Sequence, residues 1–339
     1  MKKTVITQIK YTALKIFKTK KNKVINKIDN NNFLDKKNLK KNFVVIKVKH
    51  ANLNYKDFLM CKGHSGLIKR YPHTPGIDAS GSIFFSKSNK FKKNDKVYII
   101  AQPLGVNVNG SFSKFITVPD SWVTKLPKNL NSKEIMMIGT SGFTAIKAFN
   151  KSLRIILRHK KKPVLITGAT GNVGIFLVFL LKSIGVSIEA TTSRNENIIV
   201  LKKIGVTKIY STKNFLKTSN FSLLNEKYSV IFENLGGPII STCLKYLVKN
   251  GVLISIGNIL GNESKINILP FILRETNILG LNSESLKKNE RESINKILGS
   301  IKFKNQLLKK TKVINLKDVS KIMKLKNFNK KSLRYVVKI

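Results

Sequence analysis

The sequence predicts an α/β protein in which a β-rich amino-terminal unit is followed by a doubly wound parallel sheet. Before about residue 132 the chain shows short alternating segments and no long helical periodicity. From 163 to about 282, short apolar runs alternate with glycine turns and helical stretches, the pattern of strands covered on both faces. At 339 residues and 42% hydrophobic content, the chain is long enough for two domains with a core each.

The elements follow in order. Residues 18–32 are polar and charged and read as a loop or ribbon turn. Residues 43–49 alternate through Ile46, Lys47, Val48 and Lys49, a half-buried strand; 82–85 and 97–100 are two more, separated by the polar turn 86–90 and by Asn94-Asp95. In the second unit, strands are expected at 164–167, 187–190, 208–210, 230–233, 252–256 and 278–281. Residues 173–184 are apolar nearly all round and stop at Gly185, a good helix end. A further helix is expected over 287–301. The tail returns to short strands at 313–315 and 334–338 and is expected to fold back onto the first unit.

Composition excludes several classes. A mean hydropathy of −0.09 fits a globular chain, and the longest apolar run, 173–181, is too short to span a bilayer. The start Met1-Lys2-Lys3 resembles an export leader, but Gln8, Lys10, Tyr11 and Thr12 interrupt any apolar core, so a cytoplasmic location is expected. Cys61 and Cys243 suggest neither a disulfide framework nor a metal cage. The net charge of +47 raises an alternative of another class, a nucleic-acid-binding protein. Its lysines are spread along the whole chain beside many Asn and Ile residues, and arginine is scarce. That pattern predicts non-specific attraction to polyanions rather than a dedicated reading surface.

The strongest local signal runs from Val164 through Gly168-Ala169-Thr170-Gly171-Asn172-Val173-Gly174. A buried strand enters a turn with glycines every three residues and then an apolar helix. Gly171 allows the backbone to approach a pyrophosphate, Gly174 permits close helix–strand packing, and the helix start offers amides and a positive dipole end. About twenty residues on, an NAD site places an acid on the ribose. Here Glu189 falls inside the strand, and Thr192, Ser193 and Arg194 follow. Hydroxyls and a guanidinium suit a 2′-phosphate, which predicts NADPH. No metal site is expected: Cys61, His64 and His73 lie close in sequence, yet no second cluster of ligands accompanies them.

Asn54-Tyr55-Lys56-Asp57, followed by Pro75-Gly76-Ile77-Asp78-Ala79-Ser80-Gly81, resembles the amino-terminal signature of medium-chain dehydrogenases/reductases. Ile138-Gly139-Thr140-Ser141-Gly142-Phe143-Thr144-Ala145 resembles the helix opening their cofactor domain. Pro270-Phe271-Ile272-Leu273-Arg274 with Gly280-Leu281-Asn282-Ser283 narrows the resemblance to the zinc-free, quinone oxidoreductase-like branch and, within it, to acryloyl-CoA reductases. The similarity runs from about 43 to 339. It implies a GroES-like catalytic domain (1–123), a Rossmann NADPH-binding domain (124–302), a return to the catalytic domain (303–339) and a homodimer. It also places Tyr55 near the reacting centre, Thr170, Gly171, Asn172 and Val173 on the pyrophosphate, and Thr192, Ser193 and Arg194 on the 2′-phosphate. Asn258, Ile272 and Ser283 would line the nicotinamide end, and Asn329 would close the pocket.

The chain departs from the pattern in Ala101-Gln102-Pro103-Leu104-Gly105-Val106-Asn107, where relatives carry a glycine- and tryptophan-rich loop, in Asn94-Asp95 for a Gly-Asp turn, and in Leu333-Arg334 for Gly-Arg. The first change borders the expected substrate entrance. The reaction implied is reduction of the carbon–carbon double bond of a short enoyl thioester such as acryloyl-CoA. The alternative is reduction of quinones or other α,β-unsaturated carbonyls. Tyr55 is the candidate donor or orienter, with Asn54 and Asp57 supporting it; Asp57 and Asp78 fit turn capping equally well.

Overall fold

The computed structural model describes residues 8–35, 37–106, 108–217, 221–284, 286, 288–299, 311–324 and 334–339. Two compact units emerge, 1–140 with 284–339, and 141–283.

The first unit opens with strands β1 (Gln8–Lys18) and β2 (Val24–Asp35), an antiparallel pair. This corrects the loop expected over 18–32, of which only the tip between the strands is a turn. The asparagine-rich β2 sequence hides the strand, because Asn is a poor β-former and pairing overrides its preference. In β1, Leu14 and Ile16 are fully buried. Strand β3 (Phe43–Asn52) follows, with helix α1 (Tyr55–Cys61), then β4 (Ala79–Ser86), β5 (Lys96–Ile99), β6 (Phe115–Pro119) and β7 (Thr124–Lys125). Helix α2 (Ser132–Arg158) begins in this unit and is broken at Gly139, whose φ of 53° and ψ of −167° are not helical.

Val44, Val45 and Ile46 are buried on β3, which pairs antiparallel with β4 and with β6. After its passage through the second unit the chain returns to this one as α8 (Lys288–Gly299), β14 (Thr311–Asn315), α9 (Val319–Lys324) and β15 (Arg334–Lys338). Strand β15 pairs antiparallel with β3, so the tail folds back as its alternation suggested. The sheet order is β14-β15-β3-β4-β5-β7, with β6 on β3.

The second unit alternates strand and helix: β8 (Val164–Ile166), α3 (Asn172–Ser183), β9 (Ile188–Thr192), α4 (Ile198–Ile204), β10 (Lys208–Ser211) and α5 (Thr212–Leu216). It continues with β11 (Tyr228–Glu233), α6 (Ile239–Leu244), β12 (Leu247–Ser255), α7 (Leu269–Arg274) and β13 (Asn277–Gly280). The six strands are parallel in the order β10-β9-β8-β11-β12-β13, a doubly wound sheet that reverses direction of growth beside β8. Leu165, Ile231 and Leu253 are fully buried against Ile239, Cys243 and Leu244 of α6. Helix α3 is buried continuously from Gly174 to Leu181, which explains its all-round apolar sequence. Among the described residues no helix is long and apolar enough to cross a membrane.

Candidate functional site

The glycine turn stands at the carboxyl end of β8. The Gly171 amide donates to the Gly168 carbonyl (2.9 Å), closing the turn, and the first intrahelical bond of α3 runs from the Ile175 amide to the Gly171 carbonyl (3.1 Å). The amides of the first helical turn therefore precede the hydrogen-bond ladder and point out of the helix start, where they can meet an anion. A Cβ on Gly174 would lie 2.6 Å from Ala169 Cα and 2.7 Å from its carbonyl oxygen, so only glycine lets α3 pack this close to the turn. Thr170 reaches across to β9: its hydroxyl lies 3.2 Å from that of Thr192, and both residues are buried.

Thr192 also accepts a hydrogen bond from the Arg194 amide (3.0 Å), which fixes the backbone where β9 ends. Ser193 is exposed and Arg194 half-buried. Burial pulls the guanidinium below its ordinary value while Glu196 opposes that shift. Among the described residues no carboxylate forms an ion pair with Arg194. Glu189 is occupied elsewhere: Tyr210 and Tyr228 donate to it at 2.8 Å and Lys227 at 2.7 Å. It sits in β9 with its carboxylate committed to these donors, away from any ribose-binding duty.

The carboxyl end of β11 carries residues that the sequence reading missed. Glu233, fully buried, accepts from the Leu235 amide (2.6 Å), the Gly236 amide (2.9 Å) and the Thr167 hydroxyl (3.1 Å). Asn234 donates to the Thr167 carbonyl (2.9 Å), and among the described residues its buried side-chain oxygen has no hydrogen-bond donor. A nucleotide hydroxyl would supply that donor, so the residues at the ends of β8, β9 and β11 fit a dinucleotide. The signal available is Gly236-Gly237, separated by two residues from the end of a strand. Asn258 is exposed beyond β12 and donates to Asn262 (2.7 Å). Ile272 is exposed on α7, and Ser283 follows β13 half-buried. Asn329 lies outside the described residues.

In the first unit, Tyr55 opens α1 as a residue 41% exposed, its ring stacked on Phe58 with centroids 6.0 Å apart. The turn beneath it is held by two buried carboxylates. Asp57 accepts from the amides of Asn54 (2.8 Å), Gly76 (3.0 Å) and Ile77 (3.1 Å). Burial, with Asp78 close by, pushes the Asp57 carboxyl up to about 7 against the pull of those amides. Asp78 accepts from Asn52 and Asn54 side chains and from both the amide and hydroxyl of Thr140. Burial raises the Asp78 carboxyl too, against those hydrogen bonds. Asn54 and Asp57 are thus spent on shaping the turn, and Tyr55 alone of the three expected catalytic residues presents an exposed side chain.

Similarity to known proteins agrees with this arrangement. Residues 40–128 match the family Alcohol dehydrogenase GroES-like domain, and residues 172–298 the family Zinc-binding dehydrogenase. YhfP of Bacillus subtilis, whose name places it with quinone oxidoreductases, is 32% identical over 270 residues, 80% of this chain and 82% of that protein. The chain belongs to the medium-chain dehydrogenase/reductase superfamily. It is an oxidoreductase of that superfamily. The superfamily member Acrylyl-CoA reductase AcuI of Ruegeria pomeroyi is 31% identical over 240 residues, 71% of this chain and 73% of that protein.

Two solved structures of the superfamily have the same fold. The yhdH oxidoreductase of Salmonella enterica, in complex with NADP, has a TM-score of 0.88 at 25% identity, covering 97% of this chain and 99% of that one. The Bacillus subtilis yhfP structure with NAD bound has a TM-score of 0.88 at 28% identity, covering 98% and 100%.

One superfamily feature does not fit the donor set. Among the described residues no group of three or more His, Cys, Asp or Glu side chains is placed to hold a metal ion. Cys61 is packed in the apolar core with burial pushing its thiol up, and His73 is bonded to the Gly105 carbonyl at 2.7 Å.

Proposed function

We propose that this reductase binds NADPH and reduces the carbon–carbon double bond of a short enoyl thioester such as acryloyl-CoA. The observation that carries the cofactor reading is Arg194 at the end of β9, free of any carboxylate ion pair among the described residues and beside the Thr170–Thr192 hydroxyl pair. That constellation suits a 2′-phosphate. The amides of Asn172 and Val173, with Thr170 and Gly171 shaping the turn, would hold the pyrophosphate, Thr192, Ser193 and Arg194 the 2′-phosphate, and Asn258, Ile272 and Ser283 the nicotinamide end. The substrate reading rests on the similarity to an acrylyl-CoA reductase.

The bound cofactor supplies a hydride for the β-carbon of the acceptor. Negative charge then builds on the thioester oxygen, and a proton must reach the α-carbon. Tyr55 is the residue to serve here, because its phenol carries a hydroxyl donor and its side chain is exposed. Its hydroxyl donates to the developing oxyanion or orients the group that protonates the α-carbon. Asn54 and Asp57 hold its backbone in place. Reduction of quinones is the second reading, favoured by the similarity to YhfP.

The active species is proposed to be a homodimer. Strand β13 is the edge of the parallel sheet, all of it exposed, and Ile272 and Leu273 of the neighbouring α7 are 64% and 59% exposed. A second copy can pair with that edge and cover those side chains. The deciding experiment follows NADPH oxidation with acryloyl-CoA, crotonyl-CoA and a set of quinones. Turnover of acryloyl-CoA well above the others supports the assignment; quinone turnover alone replaces it with the second reading.

A further inference from the structure

The chain passes between its two compact units at 140/141 and again at 283/284. On the first unit's side of each passage, the residue at the boundary is fastened to the turn that carries Tyr55. At the first passage, the break at Gly139 takes Thr140 off the helical ladder, and Asp78 replaces the missing acceptor. Its Oδ2 accepts from the Thr140 amide at 2.8 Å and its Oδ1 from the Thr140 hydroxyl at 2.6 Å. The same Oδ2 accepts from Asn54 Nδ2 at 3.0 Å and from Asn52 Nδ2 at 3.2 Å. A side chain at Gly139 would strike Asn52 and come within 2.9 Å of Asp78 Oδ2, so the junction has no spare room. At the second passage, Glu284 pairs with Lys56, the residue next to Tyr55.

We infer that Asp78 and Glu284 are positioning residues that tie the Tyr55 turn to both passages of the chain between its units. Neither carboxylate is asked to touch the substrate. Each holds a neighbour of Tyr55 and an end of a crossing, so a shift at either crossing reaches the turn through hydrogen bonds rather than through diffuse packing. Asp78 acts inside the fold, where a hydrogen bond lost from a fully buried acceptor is not replaced by water. Glu284 acts near the surface through an ion pair whose partners are both partly exposed. Because the two ties differ in depth and chemistry, they can be cut separately.

The consequence for turnover rests on the reductase reading above; the tie itself does not. Two near-isosteric variants weaken one tie each and keep the Asp78 side chain in the core: Thr140→Val removes the hydroxyl bond and leaves the amide bond, and Glu284→Gln removes the charge of the ion pair. Lys90→Met is the control, because it removes a distant surface ion pair with Asp120. Amide hydrogen exchange is followed in the peptide covering 53–61. Each tie variant is expected to speed exchange there several-fold, and the control to leave it unchanged. Unchanged exchange in both tie variants, or an equal acceleration in the control, overturns the inference.

Turnover adds a readout that a merely structural role would not move. With NADPH deuterated at C4, the tie variants should show kcat lowered roughly ten- to a hundredfold, a larger deuterium isotope effect on kcat, and unchanged NADPH affinity. A fall in kcat with an unchanged isotope effect would reduce both residues to structural supports. If the unaltered protein reduces none of the panel, the proposed activity fails, while the exchange result still decides the tie.

Discussion

Replacing Arg194 by alanine gives the sharpest test of cofactor choice. The guanidinium is half-buried at the end of β9 and forms no ion pair with a carboxylate among the described residues, so a 2′-phosphate would not have to displace a native partner. Glu189, the nearest acid in the strand, is held by Tyr210, Tyr228 and Lys227 and cannot swing over to favour a ribose hydroxyl. The variant therefore loses a charge-assisted contact without gaining one for NADH. Such a contact is worth about 1.5–3 kcal/mol, which converts to a roughly 10- to 160-fold weaker NADPH affinity at 25 °C. NADH affinity should move less than about twofold, since the Thr170–Thr192 contact and the helix start remain. Fluorescence titration of both cofactors against both proteins measures this directly. Equal affinity for NADPH and NADH in the unaltered protein, or a parallel loss of both in the variant, refutes the reasoning.

Other expectations are as specific. Gly174→Ala drives a methyl to 2.6 Å from Ala169 Cα and should cost about 1–3 kcal/mol of stability together with most dinucleotide affinity, read by thermal melting and titration. His50 is half-buried against Ser132, and burial with Lys49, Lys133 and Lys338 holds it down to about 4 from 6.5. The unfolded chain takes up that proton first, so the stability is present above pH 6.5 and is lost as pH falls to about 4. After discounting for solvent screening it is about 1–2 kcal/mol. His50→Gln should flatten the denaturation midpoint across that window, and an unchanged slope would assign the acid sensitivity to other groups. Dialysis against a chelator should leave NADPH oxidation intact, and stoichiometric zinc in the active protein by elemental analysis would contradict the donor-set argument.

The second unit was legible because its signals are local. A β-branched run, a glycine turn and an apolar helix follow one another within twenty residues, and the structure puts α3 over Asn172–Ser183 against an expected 173–184. The Glu189 side chain also stays within β9, as its place in the strand indicated. The β1–β2 hairpin was hidden because its stability comes from pairing between segments whose composition reads as loop. The role of Asp78 was equally invisible. Its donors come from residues 52, 54 and 140, and no spacing rule links positions 62 residues apart. Glu233 and Asn234 are more accessible from sequence, because the Gly236-Gly237 pair just beyond the strand marks the turn that they shape.

The buried carboxylates have a consequence for how this chain tolerates its own composition. It carries 64 lysines and arginines but only 17 aspartates and glutamates. Asp57, Asp78 and Glu233 point inward and serve as acceptors for the main chain or for buried side chains, and Glu189 is tied up by two phenols and a lysine. Acids used in this way do not neutralise the exterior. The folded protein must draw most of its counter-charge from solution, so added anions should relieve the mutual repulsion of its surface. An exterior acid can be exchanged for lysine at the cost of a little more repulsion. The inward acids admit no such exchange, because each is the terminus on which several otherwise separate strands of the chain converge.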